Sequence, residues 1–295
     1  MCCFVELSSL QTVFHEMGHI QYYMHYANLP YLFRGAANPG FHEAIGDLIL
    51  LSSNTLEYLR SVGLLRKRDL NNTKEYEKSK INYLIRMALD HVIAPMYAYI
   101  VDHWRHQVYN GKIKHEELNK KYWEYRLRYQ GVCPPVKRTE KNFDIGAKYH
   151  IAAGAEYFRY FFSNILQFQL HEILCEKIHH KGPLHECNIY KKKKAGQLLA
   201  KLLEKGKSKP WKEILREFSH QKVTELDASS ILKYFKPLMK WLKQNNRDEY
   251  KGWNSKDPNS CPGSNESRSD TTVIRTEGFI TSPNTITTLS GEINI

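Results

Sequence analysis

Two histidines and a glutamate stand close together in an apolar stretch near the start of the sequence. The segment TVFHEMGHIQYY, residues 12–23, contains His15 and His19 four positions apart, with Glu16 directly after the first histidine. In an α-helix, side chains at positions i and i+4 lie on one face, so both imidazoles could bind one metal ion. The alternative interpretation is a core helix that carries a few satisfied polar side chains.

The order of these three residues favours hydrolytic metal chemistry. The pattern H-E-x-x-H is typical of zinc peptidases, in which the glutamate stands beside the attacking water. Because positions i and i+1 face different directions, Glu16 is expected to act as a general base and not as a ligand. Gly18 would allow another backbone or a substrate to come close. The neighbouring side chains are apolar or aromatic and predict a helix buried in a large body: Val13, Phe14, Met17, Ile20 and Tyr23.

A catalytic zinc ion needs a third protein ligand and an open position. The segment GFHEAIGD offers Glu43 as that ligand, on a helix that Asn38-Pro39-Gly40 is expected to start. Asp47 follows four positions later, where its carboxylate could accept a hydrogen bond from a ligand histidine and fix the histidine tautomer. Both carboxylates stand among apolar residues and would need a partner when buried, although two solvated helix carboxylates are the alternative. His42 is expected to point elsewhere.

The overall composition is compatible with one large folded domain or two small ones. The chain has 295 residues, of which 42% are hydrophobic, and a formal net charge of +12 from 43 basic and 31 acidic side chains. The basic residues are scattered along helical segments and no nucleic-acid-binding motif is present, so we do not expect nucleic acid as a partner. No run of about 18 apolar residues predicts a transmembrane segment. The first ten residues also lack the pattern of a signal peptide.

Helical periodicity extends along the chain to about residue 246, and few segments alternate with the period of a β-strand. We therefore predict a mainly α-helical fold in which short turns join the helices. Pro95 is expected to kink or break one of them. Helices after the Glu43 segment are predicted at residues 80–109, 115–129, 155–179, 196–205, 210–219 and 229–245.

The composition changes at about residue 257. The segment that follows is rich in Ser, Thr, Asn, Gly and Pro and has few large apolar residues, which is typical of disordered chains. We predict a folded domain at residues 1–256 and a disordered tail at residues 257–295. Asn71-Asn72-Thr73 and Asn265-Glu266-Ser267 fit the N-glycosylation pattern, which matters only for a secreted chain.

The six cysteines leave the redox compartment open. Cys175 and Cys187 flank a segment in which Gly182-Pro183 predicts a turn, so the chain could fold back and close a disulfide bond, which would indicate an oxidising compartment. Two ordinary thiols are the alternative. No partner is obvious for the other four, Cys2, Cys3, Cys133 and Cys261. The nearby histidines fit no standard set of metal ligands and favour a solvated loop: His179, His180 and His185.

Several longer segments resemble the angiotensin-converting enzyme family of zinc peptidyl-dipeptidases. They are HEMGHIQYYMHYANLPYLFRGAANPGFHEAIGD, YQGVCPPVKRTEKNFDIGAKYHI, YFRYFFSNILQFQLHEILCEK, GPLHECNIY and ILKYFKPLMKWL, and the likeness covers roughly residues 2–253. The resemblance implies a nearly all-helical zinc metallopeptidase domain that is incomplete at its N-terminal side. It also implies removal of C-terminal dipeptides from oligopeptides, activation by chloride, and an extracellular or cell-surface location.

The resemblance assigns roles to residues that spacing alone does not single out. It implies zinc ligation by His15, His19 and Glu43, with Glu16 as the general base. Lys148 and Tyr157 match the residues that bind the C-terminal carboxylate of the substrate, for which a cation and a phenol are suitable donors. His150 and Tyr160 match the residues that stabilise the tetrahedral intermediate. Arg126 and Arg159 match residues that bind chloride, and Cys175 and Cys187 match a disulfide bond.

Some positions depart from the family pattern. Tyr122 stands where a tryptophan beside a chloride is usual, and Ala94 and Asn164 replace aromatic residues of the cleft. The alternative to an active enzyme is a truncated, non-catalytic binding or vestigial protein that keeps the zinc motif. We expect the chain by itself to expose apolar helix faces, because one wall of the cleft would be absent.

Overall fold

The structure is a computed structural model that describes residues 3–65, 73–253 and 261. Helices and turns account for the regular structure in these ranges, which contain no β-strand, so the prediction of a mainly α-helical fold is confirmed. The α-helices are α1 (Leu7–His25), α2 (Pro39–Ser53), α3 (Leu56–Ser61), α4 (Thr73–Ala88), α5 (Ala94–Tyr109), α6 (Leu118–Gln130), α7 (Tyr149–Ala152), α8 (Phe158–Lys177), α9 (Lys193–Leu203), α10 (Trp211–Phe218), α11 (Ser229–Tyr234) and α12 (Lys236–Asn245).

Helices α1 and α2 cross at two glycines. A Cβ atom built on Gly18 would lie 2.8 Å from the Gly46 Cα atom, and one built on Gly46 would lie 2.7 Å from His15 Nδ1. Real Cβ atoms do not approach other atoms so closely, so both positions require glycine at this separation. The crossing therefore holds the two predicted ligand histidines of α1 against the helix that carries Glu43.

Helix α2 begins and packs as its sequence predicts. The Asn38 side chain accepts a hydrogen bond of 2.9 Å from the Gly40 N–H and caps the helix, with Pro39 in its first turn. Helix α2 also packs on α8. The core between α1, α2 and α8 continues onto α9 and α10 and is formed by Tyr22, Phe41, Ala44, Ile45, Leu48, Leu166, Leu170, Leu174, Leu198, Leu202, Ile214 and Leu215.

Helix α1 is more exposed than its apolar sequence predicts. Gly18 and Tyr22 are its buried residues, whereas Met17 is 46% exposed and Tyr23 is 52% exposed. Helices α2 and α9 pack against α1 within the described ranges, and they cover one side of it. The prediction of a helix buried in a large body is therefore wrong for the exposed side of α1 in the described structure, and the expectation of exposed apolar faces is met there.

Pro95 lies where α4 and α5 join. The connection is a turn of π-helix, Leu89–Ile93, so of the predicted kink or break the chain shows no break and stays helical. Proline has no N–H to donate to the carbonyl four residues earlier, which is that of His91. That carbonyl instead accepts a hydrogen bond of 2.6 Å from Asn164 Nδ2. Asn164 is buried and thus satisfies a carbonyl of the helix junction.

By length and composition alone, this joined helical stretch, Lys74–Tyr109, could cross a membrane. No such segment is predicted from the length of uninterrupted apolar runs, because charged and polar residues interrupt this one. Helices of soluble proteins have the same length and composition, so the stretch by itself is weak support for a membrane span.

Several predicted helices have different bounds in the structure, and the one predicted at residues 80–109 already begins at Thr73. The predicted helix at residues 155–179 begins only at Phe158, because the Asp102 carboxylate accepts the N–H groups of Tyr157 and Phe158 at 2.7 and 2.6 Å. The predicted helix at residues 229–245 is divided into α11 and α12. Pro237, in the first turn of α12, cannot continue the hydrogen bonding of α11.

Two disulfide bonds connect described residues. Cys175 and Cys187 are joined, with Cα atoms 6.2 Å apart, and so are Cys133 and Cys261, with Cα atoms 5.5 Å apart. The sequence offered no partner for the second pair because 128 residues separate its members. Cys3 is an exposed free thiol. Cys2, the asparagines of both glycosylation patterns and the predicted tail other than Cys261 lie outside the described residues.

We predict that the helix crossing tolerates no side chain at Gly46. Gly46→Ala should lower the free energy of unfolding by about 1–3 kcal/mol, because the added methyl group overlaps the His15 ring. Gly196→Ala in α9 is the matched control, since a Cβ there meets no atom within 4 Å. It should stabilise the chain by up to about 1 kcal/mol. Urea unfolding measures both, and equal effects would contradict the close crossing.

Candidate active site

Three potential metal-binding atoms converge where α1 crosses α2. The Nε2 atoms of His15 and His19 lie 3.1 Å apart, and Glu43 Oε2 lies 3.5 Å from the first and 4.0 Å from the second. A tetrahedral zinc ion with bonds of about 2.0–2.2 Å separates its ligand atoms by about 3.3–3.6 Å. All three side chains are partly buried. The donor set and its spacing thus fit one zinc ion with a position left for substrate or water.

Asp47 is hydrogen-bonded to the ring nitrogen of His15 that faces away from the ligand cluster. Its Oδ1 atom lies 2.7 Å from His15 Nδ1, so the Nδ1 atom carries the proton and the Nε2 atom faces the ligand cluster. Burial lowers the pKa of His15, but the hydrogen bonds to Asp47 and Glu43 outweigh it and raise the pKa to about 10. Without a metal ion, the imidazolium thus forms ion pairs with both carboxylates and offsets one of their two negative charges. A dication at the same place would replace this positive charge.

His42 makes the corresponding hydrogen bond to the second ring nitrogen of His19. The Nδ1 atoms of His19 and His42 lie 3.2 Å apart, and His42 Nε2 lies 3.1 Å from the Tyr26 hydroxyl. Burial and the neighbouring His19 lower the pKa of His42 to about 4, so its ring is neutral. A neutral ring can accept the His19 Nδ1–H at its Nδ1 atom and donate its Nε2–H to Tyr26. The expectation that His42 points elsewhere is therefore wrong, since the start of α2 faces α1.

Glu16 lies beside the cluster but outside it. The side chain is exposed on α1, and the hydrogen bonds and ion pairs of the described residues do not include it. Its negative charge nevertheless acts to raise the pKa of His19, which burial and His15 lower overall. Glu16 is thus close to the ligands and free to contact a water or substrate next to them.

A second polar cluster lies at the start of α8. The rings of His150, Tyr157 and Tyr160 are 4.6 to 5.6 Å apart from centroid to centroid, and the Tyr160 hydroxyl lies 3.5 Å from His150 Nε2. Lys148 Nζ lies 4.7 Å above the Tyr157 ring. Tyr157 directly precedes α8, whereas helical periodicity predicts it inside the helix. The four side chains that the family resemblance singled out in this region are thus brought together.

The two clusters are electrostatically connected. Burial and the charge of Glu43 raise the pKa of Tyr160 to about 12, so its hydroxyl keeps its proton at neutral pH. Burial and the nearby cations Lys148 and Arg159 lower the pKa of His150, which favours a neutral imidazole. The arrangement offers a hydroxyl donor that senses the Glu43 carboxylate and, next to it, a neutral ring.

The two arginines expected to bind chloride differ in their surroundings. The guanidinium of Arg126 lies 4.9 Å from the Tyr97 ring centroid, and its Nη1 atom is 3.4 Å from the Tyr122 hydroxyl. Its Nε–H is buried without a partner among the described residues, which suits an anion. Arg159 Nε instead donates to Glu156 at 2.5 Å. The structure thus leaves one arginine available to an anion and pairs the other.

One more group combines histidine with cysteine. The ligand atoms of His171, Cys175 and Cys187 lie within 4.8 Å of one another in the core. The two sulfur atoms are joined in a disulfide bond and therefore are not thiolates. In this oxidised form the group offers a single imidazole, in contrast to the three ligands at the helix crossing.

Comparisons with known proteins identify a family and several relatives of the chain. Residues 1–253 match the family described as angiotensin-converting enzyme. Angiotensin-converting enzyme of Sus scrofa is 48% identical over 254 residues, which are 85% of this chain and 19% of that protein. Angiotensin-converting enzyme-like protein Ace3 of Mus musculus is 42% identical over 254 residues, 85% of this chain and 34% of that protein.

An insect relative is also similar. Angiotensin-converting enzyme-related protein of Drosophila melanogaster is 42% identical over 273 residues, which are 89% of this chain and 42% of that protein. The chain thus spans less than half of the length of each of these relatives. The family match covers the ligand cluster at the helix crossing as well as the cluster at the start of α8. The chain belongs to the angiotensin-converting enzyme family of peptidases.

Proposed function

We propose that the chain carries the metal-binding part of a zinc-dependent peptidyl-dipeptidase, which removes C-terminal dipeptides from oligopeptides. The observation that carries this proposal is the convergence of His15, His19 and Glu43, each on a helix that the glycine crossing holds in place. These three residues would hold the zinc ion. When bound, zinc supplies Lewis-acid activation of a peptide carbonyl and of water.

Glu16 serves as the general base in this proposal. Its exposed carboxylate, beside the ligand cluster, takes a proton from the attacking water and delivers it to the leaving amine. Glutamate is suited to both transfers because it stands next to the reacting groups without being a ligand. The same carboxylate would serve no purpose in a purely structural metal site, which keeps no open position.

The cluster at the start of α8 stabilises the oxyanion of the reaction and binds the carboxylate of the substrate. Tyr160 donates its hydroxyl proton toward the oxyanion that develops at the scissile carbonyl, and its raised pKa keeps that proton available. His150, next to it, supports the same charge. Lys148 and Tyr157 bind the free carboxylate of the substrate, since an ammonium and a phenol provide one charge and one directed donor. Recognition of that carboxylate at a fixed distance from the metal would select dipeptide release.

His42 positions His19 in this site. Metal-binding histidines usually donate their second ring N–H to a fixed acceptor, which orients the ring and raises its basicity. Asp47 provides that acceptor for His15, and His42, itself held by Tyr26, provides it for His19. The two ligand histidines are thus supported by a charged acceptor and a neutral one.

The arginines and the disulfide bonds bear on chloride binding and on the cellular compartment. Arg126, with its buried unpaired Nε–H, is the chloride-binding arginine that we favour, whereas Arg159 would first have to leave Glu156. The two disulfide bonds suit an oxidising compartment, so we propose an extracellular or cell-surface location.

A non-catalytic role is the second candidate. The exposure of apolar side chains on α1, next to the ligands, supports it, because a peptidase site must exclude water from the reacting groups. In that case the chain would bind zinc and peptides without hydrolysing them. Turnover of a blocked tripeptide by the chain itself separates the two candidates.

We predict that Glu16→Gln keeps the metal and loses the reaction. Zinc content per chain should be unchanged, while hydrolysis of a blocked tripeptide should fall by about 10²–10⁴-fold, the usual contribution of a general base. Glu57→Gln in α3, at another exposed glutamate, is the control and should match the wild-type chain. Undiminished turnover by Glu16→Gln would remove this residue from the mechanism. Zinc binding without any wild-type turnover would favour the non-catalytic candidate.

We also predict that loss of the His42 acceptor weakens zinc binding. His42→Phe keeps a ring against Tyr22 and Tyr23 but cannot accept from His19, so zinc affinity should fall about 10–100-fold in chelator competition. His42→Asn can place an acceptor near the Nδ1 position and should recover most of the affinity. Asp47→Ala removes the acceptor of His15 and should show a loss of similar size. Normal affinity in His42→Phe, together with a loss in Asp47→Ala, would contradict the positioning role of His42 alone.

A further inference from the structure

Most of the net positive charge of the chain is concentrated in one segment. Residues 177–222 contain thirteen Lys and Arg against four Glu and no Asp, which is a net charge of +9 out of +12 for the whole chain. The segment comprises the end of α8, all of α9 and α10, and their connections. Basic residues that looked scattered along the sequence are thus gathered around two packed helices.

These helices form an open groove of about 920 Å³. Its floor is apolar and is lined by Ile173, Leu198, Leu202, Ile214 and Phe218. Its rim carries five lysines and two histidines, which are Lys177, Lys194, Lys201, Lys205, Lys222, His179 and His220. Three glutamates also line the groove, Glu176, Glu204 and Glu217. The groove shares no lining residue with the candidate active site and is a separate feature.

Ion pairs engage only part of this rim. Lys205 contacts Glu217 at 2.5 Å, and Lys222 contacts Glu176 at 3.0 Å. Lys177, Lys194 and Lys201, by contrast, make no side-chain hydrogen bond or ion pair with the residues that the structure describes.

The unpaired lysines are suitably arranged for a shared ligand. Lys194 and Lys201 are seven residues apart on α9 and therefore lie on one face of that helix, which is the face toward the groove. Lys177 lies across the groove at the end of α8. Glu204 is the remaining acidic side chain without a lysine partner in the groove, so the rim keeps an excess of positive charge.

We propose that this groove binds a sulfated polysaccharide. A linear polyanion suits several unpaired cations along an open groove, because each contact releases condensed counterions. Single-stranded nucleic acid is less suited, since its binding relies on aromatic side chains on which bases stack. Phe218 is the single Phe, Tyr or Trp that lines the groove, and it is only 4% exposed. The two disulfide bonds further suit an oxidising compartment, where sulfated polysaccharides occur.

The test compares two triple variants of the full chain with equal loss of charge. Lys177→Gln, Lys194→Gln and Lys201→Gln together remove the unpaired rim cations. The control removes three exposed lysines of α12, which do not line the groove, by Lys236→Gln, Lys240→Gln and Lys243→Gln. Circular dichroism establishes that both variants are folded, and each is titrated with a short heparin oligosaccharide at several salt concentrations.

The groove variant should bind the oligosaccharide at least about tenfold more weakly than the wild-type chain at low salt. Its slope of log affinity against log salt should be smaller by about two to three, because fewer counterions are released. The α12 control should bind nearly as tightly as the wild-type chain. Equal losses in the two variants would overturn the proposal in favour of a general charge effect. Tighter binding of a single-stranded oligonucleotide than of heparin, lost in the same groove variant, would overturn the choice of ligand.

Discussion

The close approach of α1 and α2 is the constraint on which the candidate site depends. Gly18 and Gly46 let the two backbones meet, and a methyl group at either position would overlap the other helix or the His15 ring. Only at this separation can two histidines of one helix and a carboxylate of the next reach a common point. The site is thus built from a short piece of chain, and α8 supplies the surface that keeps α2 in place.

Polar side chains around this crossing are paired in a way that prepares the ligands for a cation. His15 is hydrogen-bonded to Asp47 and has a pKa of about 10, whereas His42, which contacts His19, has a pKa of about 4. The same pair of helices therefore raises the proton affinity of one imidazole and lowers that of another. Partly buried carboxylates need a positive partner, which protonated His15 provides until a metal ion does.

Much of this arrangement follows from local sequence rules. Spacing of four residues predicted that His15 shares a face with His19, and Glu43 with Asp47. Asn38 and Pro39 predicted the start of α2, and helical periodicity predicted the mainly α-helical fold. Contacts between distant segments were not predicted. The role of His42 depends on how α2 faces α1, and the Cys133–Cys261 bond joins residues that have no local relation. Exposure of α1 likewise depends on which helices cover it, which periodicity does not reveal.

X-ray absorption at the zinc edge, on the full chain loaded with one equivalent of zinc, tests the central claim most directly. The account predicts nitrogen and oxygen ligands at about 2.0–2.2 Å with the scattering pattern of two imidazoles. One imidazole should disappear in His15→Ala. A shell of sulfur at about 2.3 Å would instead place the metal at Cys175 and Cys187 after reduction. A spectrum unchanged by His15→Ala would likewise contradict a metal centre at the crossing of α1 and α2.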